Sequence, residues 1–494
     1  MISFRFLCLR ALGSMTLVAV CVSGLAQQTA YERTCDQLAA DSRPDRARLN
    51  ELFKLNWDYS MRESPESATD VGYPGLNDRW TDNSLAAIAR RQRELQAPLK
   101  VLNSIDRAKL DAADRLNYDL FRKGVEDGIE GARFKGEYLA INQMGGVQQS
   151  AAETLEIAPR KTAKDYEDMI ARLYALPPVI DQTLVLLQLG LENRITQPRI
   201  TLRDVPQQVK DQMEPDPAKN ALLKPFQEFP AEIPEAERAR LRQAAATALR
   251  DKVIPAFARL HTFLVEKYLP GARESIGMSE LPDGKAWYAF NVRTTTTTSM
   301  TPEQIHQLGL SEVKRIRGEM DKVIAQTGFK GSFADFTRFL RTDPRFYYTN
   351  KEDLLCGYRC IAKRIDPELI RFFGRLPRLP YGVLPVPAYS ERSQTTAYYQ
   401  PGSVKAGRPG YFYANTYAIE TRPKWEMEAL TSHEAVPGHH LQLSLAQEME
   451  DVPEFRKFSG YTAFVEGWGL YAEGLSEEMG LYKDPYMKFG QLTY

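Results

Sequence analysis

The sequence predicts a mainly α fold with one small β element, on three observations. Apolar residues recur at helical spacing along most of the chain. Helix-start signals are complete where they occur, and strand signals are confined to two short runs. From Tyr166, the residues Met169, Ile170, Leu173 and Tyr174 fall at i+3, i+4, i+7 and i+8, one face of a helix that Pro177-Pro178 is expected to break or kink. Thr301, Pro302 and Gln304 form a capping box with proline at the first helical position. Ile305, Leu308, Val313, Ile316, Met320, Val323 and Ile324 then give a buried stripe, and Gly328 a stop. Segments around 84–128, 235–268 and 352–373 read the same way. The first strand signal is Trp287 to Val292, leading into the β-branched run Thr294 to Thr298. The second is Gly410 to Tyr417, after a Pro/Gly-rich stretch from Leu379 to Pro409. Proline-dense pieces at 202–234 and 376–388 are the candidate linkers.

At the N-terminus, Arg5 and Arg10 precede an apolar, small-residue stretch that ends in Gly24-Leu25-Ala26. A basic start, a short apolar run and small residues at its end predict a secretory signal peptide over 1–26 and a secreted or periplasmic protein. The run is too short and too rich in Gly and Ser for a stable membrane span, so no membrane insertion is expected after cleavage. Cys21 follows Val20, where a lipid-attachment motif needs a small residue. Lys+Arg and Asp+Glu are balanced at 64 each, so no basic excess points to nucleic acid. Cys35, Cys356 and Cys360 remain after the signal and contain no Cys-x-x-Cys pair; packing is their expected role.

Of five histidines in the chain, three lie in His433-Glu434-Ala435-Val436-Pro437-Gly438-His439-His440. His-Glu followed by further His resembles the helix in which two histidines one turn apart bind zinc and the glutamate is general base. The spacing departs from that pattern, because Pro437 stands four residues after His433. In an unbroken helix His433 and His440 would lie about 10 Å apart along the axis, too far to share an ion. Chelation therefore requires Pro437-Gly438 to form a bulge or tight loop. Removing those two residues places His439 in the second ligand's slot, which favours His433 with His439 over His433 with His440. The remaining histidine becomes a supporting or oxyanion-facing group.

A third ligand is expected from the helix Tyr461 to Glu473, where Glu466 and Glu473 stand seven apart on one side. Glu466 lies among Phe464, Val465 and Trp468, where a lone carboxylate is costly, and is taken as the ligand. Glu473, followed by Gly474 and the acidic Glu477-Glu478, reads as nearer a solvated face and as the acceptor for a ligand imidazole N–H. With zinc bound, Glu434 acts as general base in hydrolysis, and the strand from Gly410, with Tyr413 and Asn415, lies along the cleft to pair with a peptide substrate.

The two strings H-E-A-V-P-G-H-H-L-Q and E-G-W-G-L-Y-A-E together resemble the bacterial "domain of unknown function 885" family, mainly helical relatives of the gluzincin metallopeptidases. The resemblance runs from about Asn50 to the end and includes Met144-Gly145-Gly146, the helix start at Thr301 and Gly410-Tyr411-Phe412-Tyr413. It implies one metallopeptidase-like domain over 27–494, its metal region at about 405–480, with His433, one of His439 or His440, and Glu466 on zinc. Family members continue past the equivalent of Tyr494, so a C-terminal truncation is expected, together with loss of groups that polarise the scissile carbonyl. A non-catalytic zinc- or peptide-binding envelope protein and a zinc hydrolase of other amides or esters are the alternatives.

Overall fold

A computed structural model describes residues 28–494; the expected signal segment 1–26 lies outside the described residues. Helices dominate, and a single three-stranded sheet sits beside the histidine motif. The helix Ala163–Asn193 is the spine of the largest core cluster. Thr162 caps it in a reciprocal box with Asp165, and its buried stripe runs from Tyr166 through Leu173 and Ile180 to Leu187. Pro177-Pro178 do not break it, because the stripe is packed on both sides of the pair against helices Glu235–Ala248 and Ile254–Phe263. By length and composition this helix resembles a membrane span, but one face of it is packed into the core. The proline-dense 202–234 segment is no linker: Val205, Val209, Leu222 and Phe226 are buried in the same cluster.

The segment Trp287 to Thr296 is helical, within Gly284–Thr296, and not a strand. Trp287 stacks on Phe134, and the threonine hydroxyls turn back onto their own helix, Thr294 to the Phe290 carbonyl (3.0 Å) and Thr296 to that of Val292 (2.8 Å). Tertiary packing and these back-bonds override the β preference of the threonines. The helix Pro302–Gln326 starts with the expected capping box and stops before Gly328, whose φ is +73°. Its stripe is only half used. Met320, Val323 and Ile324 are buried against Phe336, Trp425 and Phe489, whereas Leu308 and Val313 stand in solvent. Cys35 packs in the core as expected; Cys356 and Cys360 are exposed thiols on helix Lys351–Ile365.

The sheet is β1 (Tyr381–Pro385), β2 (Ala397–Gln400) and β3 (Gly410–Ala414), in the order β1-β3-β2. β1 and β3 are parallel, β2 and β3 antiparallel. The second strand signal is thus a real strand, but a central one. β3 is paired on both sides, so the edges of the sheet belong to β1 and β2. The inner face, with Val383, Ala397, Phe412 and Ala414, packs on Leu354 and Tyr358 and on Met427 and Leu430 of helix Met427–Glu434, which seats the sheet over the motif.

β2 is also held from the N-terminal half. Arg172 is fully buried, and its guanidinium donates to the Arg79 (3.0 Å) and Pro65 (3.1 Å) carbonyls and to Thr69 Oγ1 (2.7 Å). Burial pulls its pKa down to about 10. The segment so pinned carries Asp70, which accepts from Gln400 Nε2 (3.2 Å) at the end of β2 and pairs with Arg408. Arg172→Leu strands these carbonyls and is expected to lower unfolding stability by about 2–3 kcal/mol. A urea titration checks this, and a loss below about 0.5 kcal/mol contradicts the anchoring role.

Candidate metal centre

The motif is two helices and a fold-back. Helix Met427–Glu434 ends at Ala435 (φ −100°, ψ −110°), and helix His439–Gln447 begins after Gly438 (φ −76°, ψ −130°). A Cβ on Gly438 would lie 1.9 Å from the His433 carbonyl oxygen and 2.4 Å from that of Ser432, so only glycine permits this approach. The chain doubles back on itself, and the His433 and His439 rings come to 4.6 Å between centroids, nearly perpendicular. The loop required by the spacing is present, and it presents His439.

His440 points the other way. Its Nδ1 meets Tyr399 Oη (2.8 Å) and Ser444 Oγ (3.2 Å), and its ring packs on Tyr381 at 4.5 Å. Burial pushes its pKa down to about 4, so it is neutral. It fastens the motif helix to β1 and β2 and is not one of the three clustered donors.

The helix Thr462–Glu478 crosses close to His433. A Cβ on Gly469 would fall 2.6 Å from the His433 ring, and Trp468 Nε1 donates to the Pro437 carbonyl (2.8 Å), tying this helix to the fold-back. Glu466 Oε2 stands 3.4 Å from His433 Nε2 and 3.8 Å from His439 Nε2, and the three ligand atoms all lie within 4.8 Å of one another. Tetrahedral zinc with donors at 2.0–2.2 Å needs its donors about 3.3 Å apart, so side-chain adjustment alone would close the site on an ion. His439 Nδ1 is buried with no hydrogen-bond partner among the described residues.

Two reasons drawn from the sequence need correction although the residues stand where expected. Glu466 is 54% exposed, and its neighbour Phe464 is 65% exposed, so desolvation does not single Glu466 out; its position beside the two imidazoles does. Glu473 is 1% exposed rather than solvated, and its Oε1 accepts a hydrogen bond from the His433 Nδ1–H at 2.7 Å. That bond leaves His433 Nε2 as the free lone pair facing Glu466.

Glu434 is buried beside His433, and burial is the main reason its pKa rises to about 7; His433 and the backbone N–H of Tyr399 oppose the rise. His439 is pushed down to about 4, by burial first and by His433 second, so it is neutral and able to ligate. For His433 burial lowers the pKa, but the Glu473 bond and the charges of Glu434, Glu473 and Glu466 outweigh it and the net shift is upward. The pocket attracts positive charge.

Asn415 and Tyr413 do not face this cluster. Asn415 is buried, donates to the Glu391 (2.8 Å) and Thr395 (3.0 Å) carbonyls and accepts from Tyr417 N–H (3.0 Å), clipping the loop ahead of β2. Tyr413 stacks on Tyr398 at 5.0 Å across the β2–β3 pair. The strand residue beside the site is Tyr399, whose segment Tyr398 to Gly402 reads in the sequence as an aromatic loop with a packing role. Gly469 was missed, although a glycine inside a helix, between two acidic candidates, signals a close approach.

The family model described as "Bacterial protein of unknown function (DUF885)" matches residues 65–494. The chain belongs to this family. The match begins somewhat later than the expected Asn50 and takes in every residue of the cluster. This DUF885 chain is also similar to the crystal structure of "the putative lipoprotein from Colwellia psychrerythraea", with a TM-score of 0.80 at 22% identity, covering 91% of this chain and 81% of that one. At that identity the likeness shows the mainly helical fold. No curated protein matches this DUF885 chain.

The close approaches are directly testable in this DUF885 protein. Gly469→Ala should weaken zinc binding at least tenfold, while Gly467→Ala, whose Cβ meets nothing within 4 Å, should leave it unchanged. Competition with a chromophoric chelator reads both, and equal affinities would refute the steric account. By the same assay His439→Ala should lose the metal and His440→Gln retain it; the reverse order contradicts the geometry.

Proposed function

We propose that the chain is a zinc-dependent peptidase of the cell envelope or periplasm, acting on short peptides. The observation that carries this reading is the convergence of His433 Nε2, His439 Nε2 and Glu466 Oε2 next to a buried Glu434. Two imidazoles and one carboxylate are the donor set of a catalytic zinc site with one position left open. A bound zinc supplies Lewis acidity and brings the pKa of its water toward 7.

The chain's own residues supply the rest. Glu434, with a pKa raised to about 7 by burial before any cation binds, accepts the proton of the attacking water and delivers it to the leaving amine. Glu473 holds His433 in the tautomer and orientation that point Nε2 at Glu466. The outer edge of β2, where the Ala397 carbonyl already accepts from Thr395 Oγ1 (2.7 Å), orients the substrate. Ala397 and Tyr399 are the non-hydrogen-bonded partners of Ala414 and Phe412, so their N–H and C=O groups face away from β3. The Tyr399 N–H helps to hold the Glu434 pKa down, so this edge borders the proposed catalytic group. An extended peptide can add to such an edge through main-chain bonds, which favours peptides over other amides and esters. Envelope location is supported by the signal-like residues 1–26 and by the description of the Colwellia protein as a lipoprotein.

Glu434→Gln should keep zinc at full stoichiometry and lower peptide-hydrolysis kcat by about 10²–10⁴-fold. Peptide cleavage followed by mass spectrometry, with metal analysis of the same sample, checks both. A Gln variant that cleaves at the wild-type rate removes Glu434 from the mechanism. A zinc-loaded wild type that cleaves model esters but no peptide removes the peptidase reading.

A further inference from the structure

A second cavity, of about 940 Å³, opens between the N-terminal helices and the start of the helix that carries Glu466. Its volume is at the upper end of the range of small-molecule sites. The walls are aromatic and aliphatic: Tyr31 stacked on Tyr59 at 4.0 Å, Phe121 against Phe455, Leu120, and the exposed ring of Phe464 at the mouth. No residue proposed for metal binding or catalysis lines it.

The charges on the lining are unequal. Arg91, Lys123 and Arg456 face it, against the single carboxylate of Glu94. Glu94 is already satisfied by Arg90 at 2.8 Å and by the Tyr59 hydroxyl at 2.7 Å. Arg91 lies 3.4 Å from Glu63, and Lys123 pairs with Asp127 at 2.7 Å. Arg456 has no carboxylate partner among the described residues; its guanidinium makes one hydrogen bond, from Nη1 to Asn117 Oδ1 (2.9 Å). A planar, permanently charged fork with most of its donors unused, set in an apolar wall, is built for a carboxylate.

We propose that this cavity binds an amphipathic carboxylate, its apolar body among the aromatic and aliphatic walls and its carboxylate on Arg456. A neutral apolar ligand would cover Arg456 without compensation, and a cationic one would meet its unpaired guanidinium. A fatty acid and the C-terminus of an apolar peptide share the required chemistry. The site is independent of the metal centre and of the peptidase reading.

Isothermal titration of the whole chain with dodecanoate, dodecanol and dodecyltrimethylammonium, all below their micellar concentrations, tests the proposal. N-acetyl-Phe-Leu is compared with its amide in parallel. Saturable binding of a carboxylate at least tenfold tighter than its neutral counterpart is expected, and the tighter carboxylate identifies the lipid or the peptide source. Arg456→Gln should abolish that preference. Gly124→Leu, which places a side chain into the cavity from a position where a Cβ meets nothing within 4 Å, should weaken binding at least tenfold without lowering the Tm. Equal binding of acid and alcohol, or no saturable binding by any probe to the wild type, overturns it. The wild-type comparison stands even if a variant fails to fold.

Discussion

The contact between Gly438 and the carbonyl oxygens of Ser432 and His433 is the constraint from which the centre follows. It ends one helix, starts the next, and brings a histidine six residues downstream face to edge with the first. A side chain at 438 would force the two helices apart, since the obstruction is backbone rather than a mobile side-chain tip. The approach of Gly469 to the His433 ring is the same device used a second time, between helices distant in sequence. Tyr399 and His440 then fasten the sheet to this unit, so that strand, motif and Glu466 helix are referenced to one another through short contacts.

The electrostatics of the assembly depend on that geometry. Glu434, Glu466 and Glu473 surround two imidazoles, one of which, His439, is kept neutral by burial. Burial raises the pKa of Glu434 and of Glu473, so charging this pocket fully without a counter-cation is costly. Under the proposed function, a divalent ion would offset the charge of these carboxylates, and its binding would release protons. The second cavity has the opposite character, with apolar walls and a surplus of guanidinium and ammonium groups. The helix Thr462–Glu478 and the residues leading into it border both.

Much of the centre was legible in the sequence because its chemistry sits in two short strings. His433, Glu434, Glu466 and Glu473 stand where spacing placed them, and the need for a loop at Pro437-Gly438 followed from helix geometry alone. The choice of His439 over His440 rests on which way the fold-back turns, which Gly438 decides through a contact with residues five and six positions earlier. What escaped were properties of partners. The exposure of Glu466 and the burial of Glu473 depend on which face of their helix meets helix Met427–Glu434. The role of β2 depends on strand order, to which a four-residue strand contributes little signal. Trp287 to Thr296 reads as extended by residue type and is helical because Phe134 receives Trp287.

X-ray absorption at the zinc edge of the metal-loaded wild-type protein tests the central claim most directly. Two imidazoles, from His433 and His439, are expected with oxygen donors completing a four-coordinate shell, the Zn–N distances at about 2.0–2.1 Å. A third imidazole in the shell, which only a fold-back turned the other way to present His440 as well would allow, contradicts it, as does a shell with fewer than two.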